Sequence, residues 1–377
     1  MITLLQAVER QRERGLDLPD GPIQASDLRK RFQPEPRSSI RALLRRMLEG
    51  SVTRAPWAVL LCRFKDLPAN PAIENLFRGM FRPGASALVE YWRDVSLGSI
   101  DITGSTVMGW FELDITREQA GGQNRVFLID KAIEAAKRAG QDPQNGFFSQ
   151  IAVFTHDWAR DEAQTLPDEQ KAKLWIDGSS DGHRVSAPPH LQNGAGIAHE
   201  MGHGFALTHD LNYGDPYSIM SYATSTISFV HPVLNVVFGP AVSLPHLIRS
   251  RWMYRRRVVQ EGTDWLAVPQ GITIPLAPAG ELGAHANLGI LLASGEDWDY
   301  CLEYVTPTDW DRAIPNAVVA IRRVPRNGGE PVFLGKIDVP TSAESKVGFV
   351  EPIKNVRFTV SWLDTRGRIL KVTAKMG

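Results

Sequence analysis

The run His199-Glu200-Met201-Gly202-His203-Gly204-Phe205-Ala206-Leu207-Thr208-His209 constrains this chain more than any other feature. On an α-helix, positions i and i+4 lie on one face, so His199 and His203 can present two imidazoles to one cation. The chain must then leave the helix and turn back for His209 to supply a third. Three neutral imidazoles leave the fourth position of a Zn²⁺ ion open, as catalytic zinc sites do and structural ones do not. Glu200, directly after the first histidine, is placed to take a proton from a water at that position.

The flanks add two more features. A small-residue stretch, Asn193-Gly194-Ala195-Gly196, precedes the histidines, and Asp215-Pro216-Tyr217-Ser218-Ile219-Met220-Ser221-Tyr222 follows them. The combination resembles the metzincin clan of zinc endopeptidases, whose motif is H-E-x-x-H-x-x-G-x-x-H followed by a methionine-bearing turn. That resemblance implies one catalytic Zn²⁺ held by His199, His203 and His209, with Glu200 as general base. It further implies Met220 as an apolar floor under the metal and Tyr222 as a hydroxyl that approaches the metal or stabilises the oxyanion. One position departs from the motif. Its glycine is Ala206 here, so the expectation is strain at Ala206, a break already at Gly204, or a helix that runs on and turns differently. The segment YWRDVSLGSIDITGSTVMGWFELD is also similar to the immune inhibitor A-like and gametolysin-like branches, a similarity that spans residues 57–257.

At 377 residues the chain has room for two domains and an appendage. A hydrophobic content of 43% with 22% charged residues is that of a soluble globular protein. The net charge of zero gives no argument for nucleic acid or a membrane surface, and no apolar run reaches spanning length. The first ten residues become charged too early for a signal peptide. The family is usually secreted, whereas this start leads to the expectation of a cytoplasmic protein, one exported by a signal-independent route, or one lacking a removed leader. Cys62 and Cys301 both sit in apolar, strand-like runs and read as buried free thiols. A structural Ca²⁺ site has no readable signature, and the oligomeric state is not legible.

Three regions are expected. Residues 1–55 read as a basic helical segment. Residues 56–257 read as an α/β (α+β) metzincin-like catalytic domain. It holds a strand at Trp57–Phe64, a helix at Ser86–Val95 and paired strands at Ser99–Gly104 and Val107–Leu113. An amphipathic helix at Arg125–Ala139 ending at Gly140, a buried strand at Gln150–Thr155, an edge strand within Trp175–His190 and a closing helix at Leu244–Tyr254 complete it. Residues 258–377 read as an all-β sandwich, from short strands at Ile272–Leu276, Gly289–Ala293, Tyr300–Val305, Ala317–Arg322, Val332–Ile337, Val356–Leu363 and Ile369–Thr373. The functional expectation is a zinc-dependent endopeptidase acting on a protein or peptide. The alternative is a catalytically silent, zinc-bearing scaffold that binds through its β-sandwich.

Overall fold

The structure is a computed structural model that describes residues 52–120, 123–155, 178–180, 184–221, 227–253, 255–279, 286–340, 347–352, 354–362 and 369–377. The helical segment expected over 1–55 falls almost wholly outside them. The protein is a mixed α/β chain with a β-rich C-terminal region.

In chain order, the first part comprises β1 (Thr53–Arg54), β2 (Trp57–Arg63), α1 (Pro71–Met80), α2 (Leu88–Val95), β3 (Ile100–Asp101) and β4 (Thr106–Glu112). A four-residue turn of helix, α3 (Arg117–Ala120), leads to α4 (Arg125–Arg138), β5 (Ser149–Phe154), β6 (Gly178–Ser180), β7 (Arg184–Ala187) and α5 (Gly194–Gly204). The central sheet has the order β4-β2-β5-β7-β6. Its first four strands are parallel and β6 runs antiparallel along the edge. Strand β2 explains the layering. Trp57, Val59 and Leu61 point into one core, with Ala195, Ala198 and Met201 of α5. Ala58, Leu60 and Cys62 point into the other, with Leu128, Ile129, Ala132 and Ala136 of α4. Side chains alternate across a strand, so one covered on both faces needs an unbroken apolar run rather than alternation.

The two segments expected to pair with each other do not. Strand β3 pairs with β1, whereas β4 joins β2 in parallel. Alternating, β-branched residues mark both as strands, but the partner is chosen by long-range packing. The closing helix is also shorter than expected. It spans Leu244–Arg249 (α6) and ends at Ser250, because Arg251 enters the left-handed region with φ 58°. A hairpin, β8 (Phe229–Val230) and β9 (Val237–Phe238), precedes it.

The C-terminal region holds β10 (Val258–Glu261), β11 (Ile272–Leu276), β12 (Gly289–Ala293), β13 (Trp298–Val305) and β14 (Val318–Pro325). The strands β15 (Val332–Asp338), β16 (Val347–Glu351), β17 (Val356–Trp362) and β18 (Leu370–Met376) follow. They form a five-stranded sheet, β10-β12-β13-β14-β15, and a four-stranded sheet, β11-β18-β17-β16. Both sheets contribute to one core: Ile290, Tyr300, Leu302 and Ile321 from the first, Leu276, Phe358, Val360 and Val372 from the second. The other face of the larger sheet lies against the first part of the chain, where Cys301 and Trp310 join the core that contains α5. Both cysteines are buried and unbridged.

Candidate metal centre

Helix α5 starts where the sequence places a cap. The Asn193 side chain accepts a hydrogen bond from the Gly196 amide at 2.8 Å, satisfying one of the free amides of the first turn. The glycines of this helix buy close approach. A Cβ at Gly194 would stand 2.3 Å from the Phe238 ring, and one at Gly202 would stand 2.7 Å from the Met220 sulfur. The second contact seats the Met220 turn directly against the histidine-bearing helix.

The helix ends at Gly204, and Phe205 caps it. Ala206 is in the left-handed conformation, φ 63°. Its amide donates to the His203 carbonyl at 2.9 Å, and the Leu207 amide donates to the Gly202 carbonyl at 3.0 Å. These are the paired bonds of a Schellman ending, in which the left-handed residue is usually glycine. The motif glycine is thus replaced by alanine with the reversal kept. Flanking anchors hold it: Phe205 stacks on Phe148 and meets Trp57 and Trp92 edge to face, and Leu207 is buried.

The reversal brings His209 to His199 and His203. The three side chains each offer a ring nitrogen within 4.8 Å of the others. His203 Nε2 lies 3.3 Å from His199 Nε2 and 2.9 Å from His209 Nε2. The opposite nitrogens are already committed. His199 Nδ1 lies 2.9 Å from the Ile219 carbonyl, and His203 Nδ1 lies 2.9 Å from the Leu207 carbonyl. A carbonyl can only accept, so in the neutral rings Nδ1 carries the hydrogen and Nε2 carries a lone pair. The lone pairs of His199 and His203 therefore face each other, and they repel unless a cation sits between them. Burial disfavours a proton as that cation: it holds His199 below the ordinary histidine range, and burial together with the neighbouring imidazoles pulls His203 and His209 down to about 4. A set of three ring nitrogens, two of whose rings are fixed from behind by main-chain carbonyls, fits a Zn²⁺ ion.

Glu200 is nearly buried on the same helix, and its carboxylate acts electrostatically on His203. Met220 is fully buried in the turn Ile219–Ser221. Tyr222 lies outside the described residues. A hydroxyl stands at the centre nonetheless: Tyr213 Oη is 3.1 Å from His209 Nε2. Sequence reasoning passes over Tyr213, because it is reached only through two successive left-handed residues, Asn212 (φ 55°) and Tyr213 itself (φ 51°). Strained backbone of this kind gathers at functional sites. The residue after the third histidine is equally engaged. Asp210 is buried, with one carboxylate oxygen 3.2 Å from His246 Nε2 and the other accepting from the Ser221 hydroxyl at 3.0 Å. Burial alone would raise its pKa, but the bonds from His246 and Ser218 and the charge of Arg322 outweigh that and hold it low.

No protein-family model and no curated protein matches this chain. Its function therefore rests on the chemistry of the centre.

Proposed function

We propose that the protein is a zinc-dependent endopeptidase of metzincin type. The observation that carries this reading is the convergence of three imidazole nitrogens, two of them in rings whose outer nitrogen is tied to a main-chain carbonyl. The position of Glu200 on the same helix and a methionine turn packed against Gly202 support it. So does the sheet, in which β6 is an antiparallel edge strand beside β7. An edge strand can pair with an extended peptide through main-chain bonds, which makes little demand on substrate sequence.

In this reading His199, His203 and His209 hold the ion. When bound, it acts as a Lewis acid and brings the pKa of a water down to about 7. Glu200 accepts the proton of the attacking water and passes it to the departing amine, so one carboxylate serves both halves of the reaction. Tyr213 donates a hydrogen bond to the carbonyl oxygen as negative charge builds there, where a fixed donor contributes most. The carbonyls of Ile219 and Leu207 keep the rings from turning.

Incubation of the metal-loaded protein with casein or a peptide library, with and without a chelator, tests the reading. The expected result is cleavage that stops with chelator and returns with zinc. Glu200→Gln should retain the metal and lose cleavage by about 10²-fold or more. A fully metallated wild-type protein that leaves every peptide intact would favour the scaffold reading.

A further inference from the structure

The arm that runs from His209 to the Met220 turn is held by the β-rich region. Among the contacts that cross, three carry the argument. The Leu211 amide donates to the Pro331 carbonyl at 2.8 Å. The Asp215 carboxylate is bound by Arg322 Nε, with both side chains essentially inaccessible. The Tyr217 ring lies 5.8 Å from the Phe333 ring, above a small core of Val305, Ile314, Val318 and Ala320. Arg322 is itself fixed from behind. Its Nη1 donates to Glu303 at 2.6 Å, and Glu303 also accepts the Leu244 amide at 3.0 Å, tying α6 to the same network.

These contacts bracket the functional atoms. Leu211 and Asp215 flank Tyr213, which explains how two successive left-handed residues are sustained: both ends of the strained segment are pinned. Asp215 is linked onward, its amide donating to Ser221 Oγ at 3.2 Å, and Ser221 bonds Asp210, next to His209. Pull on Asp215 therefore reaches both the third imidazole and the methionine turn. A guanidinium buried between two carboxylates is weak evidence of added stability, since desolvation offsets most of the attraction. Its geometry is what it fixes.

We infer that the C-terminal β-rich region completes the metal centre, with Arg322 and the Pro331 carbonyl as positioning groups for the His209–Tyr213 arm. The inference rests on the metal reading above but not on the peptidase reading. Neither group touches the ion or a substrate; both act through the arm.

Cobalt(II) binding to the full chain tests it, by chelator competition for Kd and by the visible d–d spectrum for ligand geometry. Arg322→Met should weaken Kd by about 10- to 100-fold, the range for residues that hold metal ligands in place. That variant leaves two carboxylates without their partner and can fail to fold, so Leu211→Pro provides the second arm. Leu211 is 40% exposed, opens its short turn, and follows Asp210 at φ −81°, ψ 146°, a conformation proline accepts in its predecessor. The change removes the amide that reaches Pro331 and should weaken Kd roughly 3- to 10-fold with an altered spectrum. Phe358→Leu, deep in the sandwich and remote from the arm, should lower Tm while leaving both Kd and spectrum at wild-type values. Wild-type Kd and spectrum in folded Leu211→Pro and Arg322→Met would overturn the inference. So would an equal loss in Phe358→Leu, which would make the effect one of global stability. A wild-type protein that takes up no cobalt overturns the metal reading itself, and the positioning role with it.

Discussion

Replacing Ala206 by glycine should stabilise this protein, although it deletes a methyl group. Among the described residues, four helices end in the same pair of reversed bonds. After α4 the left-handed position is Gly140, with Gly140 donating to Lys137 and Gln141 to Ala136, each at 3.0 Å. After α2, α5 and α6 it is Leu97, Ala206 and Arg251, with φ of 52°, 63° and 58°. A side chain with a Cβ pays about 1–2 kcal/mol for this conformation. Glycine gives back about 0.4–1 kcal/mol through the greater freedom of the unfolded chain. The net expectation for Ala206→Gly is a gain of roughly 0.5–1 kcal/mol, or about 1 °C in Tm for a chain of this size. The converse substitution calibrates it. A Cβ at Gly140 would meet nothing within 4 Å, so Gly140→Ala isolates the backbone cost and should lose a similar amount. Urea unfolding of both variants, with chelator present so that metal binding does not enter, reads the two values. Loss of stability in Ala206→Gly, with Gly140→Ala behaving as expected, would show that the Ala206 methyl makes contacts worth more than the strain, and the argument from φ would fail.

Gly202→Ala should act oppositely, since its new methyl would meet the Met220 sulfur at 2.7 Å. A cost of about 1–3 kcal/mol by thermal unfolding and weaker zinc binding by chelator competition are expected. Tyr213→Phe should lower kcat with KM nearly unchanged, by about 10- to 10³-fold if the hydroxyl is the oxyanion donor; an unchanged kcat removes that role. Asp311 accepts the Ala241 amide at 3.0 Å, and burial, reinforced by Glu303 and Asp309 against the opposing pull of Arg322, raises its pKa to about 7. The folded state then binds this proton more tightly than the unfolded one, so this group's contribution falls as pH rises from about 4 to 7. Asp311→Asn should raise Tm more at pH 8 than at pH 5, and an equal shift at both would remove Asp311 as the source.

Much of the local structure is legible in the sequence because it is driven by local signals. Helix α4 has its Asn124 cap, bonded to the Phe127 amide at 3.0 Å, and its closing Gly140. Strands β11 and β12 coincide with the expected runs, bounded by turn residues. Helix α1 is passed over although its signals are present: an Asn70 cap, Pro71 in the first turn, and Ile73, Phe77 and Met80 on one buried face. Strand β16 is passed over for a different reason. It lies at a sheet edge with Val347 and Val350 exposed, and its fully buried position is a glutamate, Glu351, so its apolar pattern does not mark the face that is covered. At the centre, spacing alone points to the histidines, whereas Tyr213 and Arg322 arrive by tertiary structure. Arg322 lies in a strand pattern indistinguishable from a solvated one until Asp215 and Glu303 are seen to enclose it.

The outer nitrogens of His199 and His203 rest on the oxygens of Ile219 and Leu207, which are main-chain atoms. Every amino acid carries that oxygen, so substitution at 219 or 207 cannot delete it. Ring orientation at this centre is written into the path of the peptide chain, and it is lost only when that path shifts.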